Sequence, residues 1–528
     1  MFTYRIRPLA LLAAAVLASG QALPIGAQEP AAADPVVDAI LEEGMERSQV
    51  YPLLQVLLDS VGPRLTGTPQ KDASHEWLVR LYESWGIEAR NERYGTWKGW
   101  ERGIAHVDLI EPRVVTLDAT LVAWSPGTEA PVEGPVVGLP APGGPEALEP
   151  WRQAVRGTWV LGSFPEPTCR PPEQWLEFSD EQTVAALATR RDSALAQWER
   201  RLEATRQTQG SLDDWLQEVG AAGLLTSSWT GGYGARRVFG TTTERLPVLS
   251  LSCEDYGLLH RLADHGQGPV LRVNAEARFT GEVPVFNTIA TIPGSERPEE
   301  YILLSAHLDS WDGAQGATDN GTGTIVMVEA MRLLRAAYPH PKRTIIVGHW
   351  GSEEQGLNGS RAFAADHRDV VENLQALFNQ DNGTGRIARV GMQGLADAGD
   401  HFRSWLAAAP DHLTDLEIED PGTPGGGGSD YAAFTCAGAP AFGLWSDSWD
   451  YGRYTWHTNL DTFDKVAVDN VRDNAILVAI LTYMASEDPD RVGRQRVEPL
   501  PLDERTGQPM RWPQCRLPMR SWEAYDRR

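Results

Sequence analysis

A chain of 528 residues with 42% hydrophobic and 23% charged residues has room for several domains with sizeable cores, and its composition is that of an ordinary globular protein. The formal charge of −25 is not ordinary. Such a surface repels phosphate backbones and anionic lipid faces, which argues against nucleic-acid and membrane partners.

The N-terminus has the order of an export signal. Arg5 and Arg7 precede an apolar run over residues 9–17, followed by small residues with cleavage positions after Ala22 or Ala27. The run is shorter than the roughly 20 residues that span a bilayer, so residues 1–27 read as a signal peptide and the mature chain as secreted or periplasmic. Export permits disulfides. The four cysteines, Cys169, Cys253, Cys436 and Cys515, lack Cys-x-x-Cys spacing, which argues against a thiolate zinc site. Cys169 and Cys253 fall in one predicted domain and are the first pair to test.

Residues 28–38 read as a leader. After Pro69, Trp77, Leu78, Leu81, Tyr82 and Trp85 share one helical face, and Gly86 ends it. A strand over 104–110 stops before Pro112. Between 125 and 280 short strand-like runs alternate with helices, including a long charged helix over 180–208. This block, residues 126–279, reads as a separate inserted domain. From Val285 the pattern becomes strand–helix–strand: "VFNTIATI", "YILLSA", a helix over 322–337, "RTIIVGHW" and "ALFNQD". The fold class is therefore α/β, with a mixed, mostly parallel central sheet flanked by helices over 40–125 and 280–490, and an α+β insert. The tail, 491–528, is rich in Pro and Arg and shows no recognisable chemistry.

The strands of the second half end in polar groups: His307 and Asp319, Glu353 and Glu354, Asp381, and later His457. Ligands of open α/β sheets bind at such strand ends. Four carboxylates gathered with two imidazoles would repel one another without cations. A His and carboxylate set with no thiolate suits zinc, with manganese or cobalt as further options. Two ions can share it, one carboxylate bridging and each ion taking one imidazole and one further acid. That leaves one carboxylate free as a general base that activates water, and the chemistry that follows is hydrolysis of an amide or a related bond.

"HLDSWDGAQGATDNGTG" (307–323), "WGSEEQGLNGS" (350–360) and "YTWHTNLDT" (454–462) resemble the co-catalytic zinc exopeptidases, the aminopeptidase and glutamate carboxypeptidase type. The His-Leu-Asp-Ser-Trp-Asp run and "VGPRLTGTPQ" (61–70) are most similar to the carboxypeptidase Q branch. The resemblance implies a zinc exopeptidase fold with a protease-associated insert at 126–279, two zinc ions per chain, and peptide or dipeptide substrates. It implies metal ligation by His307, Asp319, Glu354, Asp381 and His457. Asp319 would bridge, and His307 and Glu354, or His457 and Asp381, would each complete one ion, the pairing of imidazole with acid being open. It also implies Glu353 as general base and Asp309 as the group that orients the His307 imidazole, with Asp461 in support. The family further suggests a homodimer. Tyr431 stands where many family aminopeptidases read His, so side-chain preference is open. Tyr454 is a candidate to bind the oxyanion, but a packed tyrosine is the expectation. The alternatives are an aminopeptidase using the same site, a one-zinc glutaminyl cyclase, and a non-catalytic receptor-like protein. Retention of all five ligands and the base favours the exopeptidase.

Overall fold

The computed structural model describes residues 34–140, 145–206, 212–425, 427–502 and 506–527. The signal-peptide reading falls on residues outside these. Among the described residues, no helix is long and apolar enough to cross a membrane.

Four parallel neighbours form the middle of the sheet, in the order Ala441–Ser446, Leu374–Asn379, Arg297–His307, Arg343–Trp350. Runs such as "ILLSA" carry no polar alternation because both faces of these strands are covered, as parallel sheets require. On one face Thr322–Ala337 and Val468–Glu487 pack with Ile302, Leu304, Ile345 and Phe378. On the other, Leu303, Ile346 and Leu377 meet Phe363 of Asn358–Asp366 and Phe434 of Ala432–Thr435. Being parallel, all four strands deliver their C-terminal ends to one edge.

The insert does not hang on a flexible tether. Glu88–Glu111 and Val270–Ile292 form one antiparallel ribbon, from Glu88 opposite Thr291 to Glu111 opposite Val270. The C-terminal half of Val270–Ile292 pairs with Arg343–Trp350, and its N-terminal half with Val132–Gly138 of the insert. The strand expected over 104–110 is thus the end of a much longer one. Its first half is interrupted by register shifts at Arg93/Gly95 and Gly99/Trp100, which break the two-residue alternation that marks a strand in sequence. Within the insert, Val132–Gly138, Trp159–Leu161, Gly223–Thr226 and Val248–Leu251 run parallel.

The long helix is present as Glu181–Arg206, and the one beginning near Pro69 as Pro69–Ser84, with Thr68 capping the Lys71 amide at 3.4 Å. Both disulfides are formed: Cys169–Cys253 within the insert, and Cys436–Cys515, which ties the tail to the peptidase region.

Candidate metal centre

His307 is the last residue of Arg297–His307, Glu353 and Glu354 follow Arg343–Trp350, Asp381 follows Leu374–Asn379, and the loop after Ala441–Ser446 carries His457. Backbone strain gathers here: Ser352, Leu357 and His457 have φ of 53°, 57° and 58°, in the left-handed region that costs non-glycine residues free energy. The insert helps hold the last of them, since the Val238 amide donates to the His457 carbonyl at 2.9 Å.

The structure brings the five predicted ligands into two groups of three that share one member. His307 Nε2 lies 2.9 Å from Asp381 Oδ1 and 3.4 Å from Asp319 Oδ1. His457 Nε2 lies 2.8 Å from Glu354 Oε2 and 3.1 Å from Asp319 Oδ2. Each group places its ligand atoms within 4.8 Å of one another, close enough to hold a cation. Imidazole and acid are paired as His307 with Asp381 and His457 with Glu354, and Asp319 turns one oxygen to each side. Asp319 Oδ2, Glu354 Oε1 and His457 Nδ1 are buried without a hydrogen-bond partner. Buried carboxylates in excess over imidazoles, with orphaned oxygens, are what divalent cations satisfy. The residues fit the two-ion group.

The surroundings fix these side chains. His307 Nδ1 is 2.9 Å from the Asp309 backbone carbonyl, whereas the Asp309 carboxylate stands 3.8 Å away. That carboxylate instead accepts from the Glu353 and Glu354 amides at 3.1 and 3.2 Å. The orienting role expected of the Asp309 side chain toward His307 is therefore performed by its main chain, because the two glutamate amides claim the carboxylate. Asp461 accepts from the Thr318 and Asp319 amides at 2.8 and 3.1 Å, so it holds the backbone at Asp319 and not the His457 imidazole, whose Nδ1 has no hydrogen-bond partner among the described residues. Arg64, fully buried, donates to the carbonyls of Leu308, Gly62, Gln315 and Gly316 at 2.7–3.0 Å. It clamps both ends of the loop between His307 and Asp319.

In the metal-free protein the site is electrostatically frustrated. Burial and then Asp319 raise the Glu354 pKa from 4.5 to about 7, and burial and Asp319 raise Asp461 to about 7. Burial lowers His457, but Glu354 and Asp319 outweigh it and hold the imidazole at about 10. Each folded-state value lies above its unfolded one. The acids' contribution to stability is complete below about pH 4 and fades toward 7, and that of His457 is complete below 6.5 and fades toward 10. Metal binding has the opposite sign, because it requires these groups deprotonated. The gap in melting temperature between zinc-loaded and EDTA-treated protein is therefore expected to widen as pH rises from about 5 to about 8. A gap independent of pH in differential scanning fluorimetry would contradict the assignment.

The two groups open into a cavity of about 530 Å³ also lined by Glu353, Tyr451, Arg361 and Arg516. Tyr454, expected to pack rather than to bind the oxyanion, does pack, against Gly232 of the 126–279 block. Tyr451, three residues earlier in "YGRYTWH", lines the cavity, and nothing in the sequence separates the two tyrosines. Arg361 and Arg516 also went unforeseen. Arg516 stands beside Cys515, and a paired cysteine in the tail is the one sequence signal that could have drawn attention to it.

Residues 287–482 match the family described as Peptidase family M28. Over this segment the chain resembles the M28 peptidases. Carboxypeptidase Q from Homo sapiens is 26% identical over 449 residues, covering 84% of this chain and 86% of that protein. Among solved structures, a peptidase M28 precursor from Shewanella amazonensis SB2B aligns with a TM-score of 0.62 at 21% identity, covering 87% of this chain and 97% of that one. BSAP, a zinc aminopeptidase from Bacillus subtilis, aligns with a TM-score of 0.53 at 17% identity, covering 84% and 96%. The likeness extends well beyond residues 287–482 in both cases, and the expected fold class is the one found. The M28 match and the carboxypeptidase Q likeness support a metallopeptidase, and hence a hydrolase.

Proposed function

We propose that the chain is an exported two-zinc exopeptidase of the carboxypeptidase Q kind, cleaving the peptide bond next to a chain terminus or within dipeptides. The observation that carries this reading is the Asp319 carboxylate, whose two oxygens face His307 on one side and His457 on the other. His307 and Asp381 would hold one ion and His457 and Glu354 the other, with Asp319 shared between the two groups. When bound, the ions supply Lewis acidity that polarises the scissile carbonyl and acidifies water.

Glu353 lies outside both groups of three yet lines the same cavity. Burial, and then Asp381, Asp430 and Glu354, raise its pKa well above the usual carboxylate range, so it can both take a proton and return it. Glu353 removes the proton from the attacking water and delivers it to the departing amine. The Tyr451 phenol lines the cavity and is kept protonated by burial and by Asp319, Asp381 and Glu354, which makes it the oxyanion donor in this reading. Arg5, Arg7 and the apolar run after them, together with two disulfides, support export.

The test is hydrolysis of a panel of unblocked dipeptides by protein stripped with a chelator and reloaded with zinc. Turnover that vanishes on stripping and returns with zinc is the expected result. A zinc-loaded protein that cleaves no dipeptide and no terminal residue would overturn the reading.

A further inference from the structure

The C-terminal tail, which carries no motif, contributes one residue, Arg516, to the lining of the candidate-site cavity. Cys515 is joined to Cys436, just after Ala432–Thr435. Four residues on, the Met519 amide donates to Asn358 Oδ1 at 2.8 Å, Arg520 pairs with Asp366 at 2.8 Å, and the Arg520 carbonyl accepts from the Thr96 amide at 2.9 Å. Trp522 then packs on Trp97 and Trp124. Arg516 sits between these anchors and lines the cavity. It is exposed and makes no hydrogen bond or ion pair to any described residue. An exposed arginine on a free tail would be unremarkable, but a segment fastened on both sides of one residue holds that residue in place.

The charges lining the cavity are unequal in kind. Every acid there (Asp319, Glu353, Glu354 and Asp381) already belongs to the metal-and-base set, and of the two arginines in the lining, Arg361 and Arg516, it is Arg516 that no described residue engages. Arg361 lies on Asn358–Asp366, the helix whose first residue holds the tail. A substrate amine would meet no acid free to pair with it, whereas a carboxylate meets the Arg516 guanidinium, a group that binds carboxylates with directional hydrogen bonds.

We propose that the tail is a strap that completes the substrate site, with Arg516 as the residue that recognises the free terminal carboxylate of the substrate and the Cys436–Cys515 bond as the staple that positions it. The proposal rests on the exopeptidase reading above. It makes the polarity of the enzyme, toward the C-terminal end of its substrates, a property of the tail.

The test compares kcat/KM for dipeptides bearing a free C-terminal carboxylate with that for the same dipeptides amidated, in zinc-loaded protein. Wild type is expected to prefer the free acid by about tenfold or more, the scale of a charge-assisted contact. In Arg516→Ala the ratio should fall toward one through a higher KM for the free acid, Arg516→Lys should retain part of it, and the Cys436→Ser/Cys515→Ser double variant should fall with Arg516→Ala. Arg511→Ala, a charge loss elsewhere on the tail, should leave the ratio intact. A ratio untouched by Arg516→Ala, or one that follows only acidic side chains in amidated substrates, would overturn the strap. A ratio untouched in the double-serine variant would overturn the staple. Absence of hydrolysis of both substrate forms by wild type would instead overturn the exopeptidase reading beneath it.

Discussion

Replacing Glu353 with Gln is expected to lower kcat by about 10²–10⁴-fold, the range for loss of a positioned general base, while the bound zinc stays at two ions per chain. The amide keeps the size and shape of the carboxylate. The backbone amide of residue 353 keeps its bond to Asp309 Oδ1, and neither group of three includes the side chain. What disappears is the capacity to take a proton. KM should change little, because the substrate's ends do not depend on that oxygen. Metal analysis and steady-state kinetics on the same preparation check the prediction. A variant that loses zinc would make Glu353 a ligand, and one that keeps full activity would remove it from the mechanism.

Asp319→Asn is expected to be more damaging. Asp319 alone serves both groups, with Oδ1 toward His307 and Oδ2 toward His457. An asparagine offers one carbonyl oxygen and one NH₂, and the NH₂ is a donor that cannot ligate a cation. One site must therefore lose its shared member. The loop itself is retained, since Asp461 holds it through the backbone amides of residues 318 and 319. Tightly bound zinc should fall from two ions to one or none, and kcat/KM by more than the roughly 10–100-fold typical of losing a supporting hydrogen bond. Glu354→Gln, which touches only the His457 side, should spare the His307 ion. If Asp319→Asn still binds two ions with wild-type affinity, the carboxylate does not bridge.

That the candidate residues gather at one edge was legible in the sequence. His307, Glu353, Glu354 and Asp381 lie at or just beyond the ends of buried parallel strands, while Asp319 and His457 sit on the loops that follow such strands. Which imidazole joins which acid was not legible. It depends on how the Asp319 carboxylate is turned between two strand ends, and sequence spacing contains no torsion angle. Arg64 stood inside a recognised run, "VGPRLTGTPQ", yet its task appears only once the carbonyls of Leu308, Gln315 and Gly316 converge on it from about 250 residues away. Asp309 lies beside His307, but it is its carbonyl that meets the imidazole, while its carboxylate accepts from the Glu353 and Glu354 amides. The ribbon of Glu88–Glu111 with Val270–Ile292 was hidden by its register shifts, and the tail by its lack of periodicity: it is held by a disulfide, isolated hydrogen bonds and aromatic contacts with Trp97 and Trp124.

The most direct test of the two-ion site is a crystal structure of the zinc-loaded protein with anomalous data collected at the zinc absorption edge. The expected map has two peaks roughly 3.5–4 Å apart. One should contact His307 and Asp381, the other His457 and Glu354, with Asp319 between them. A single peak, or two peaks that do not share Asp319, would contradict it.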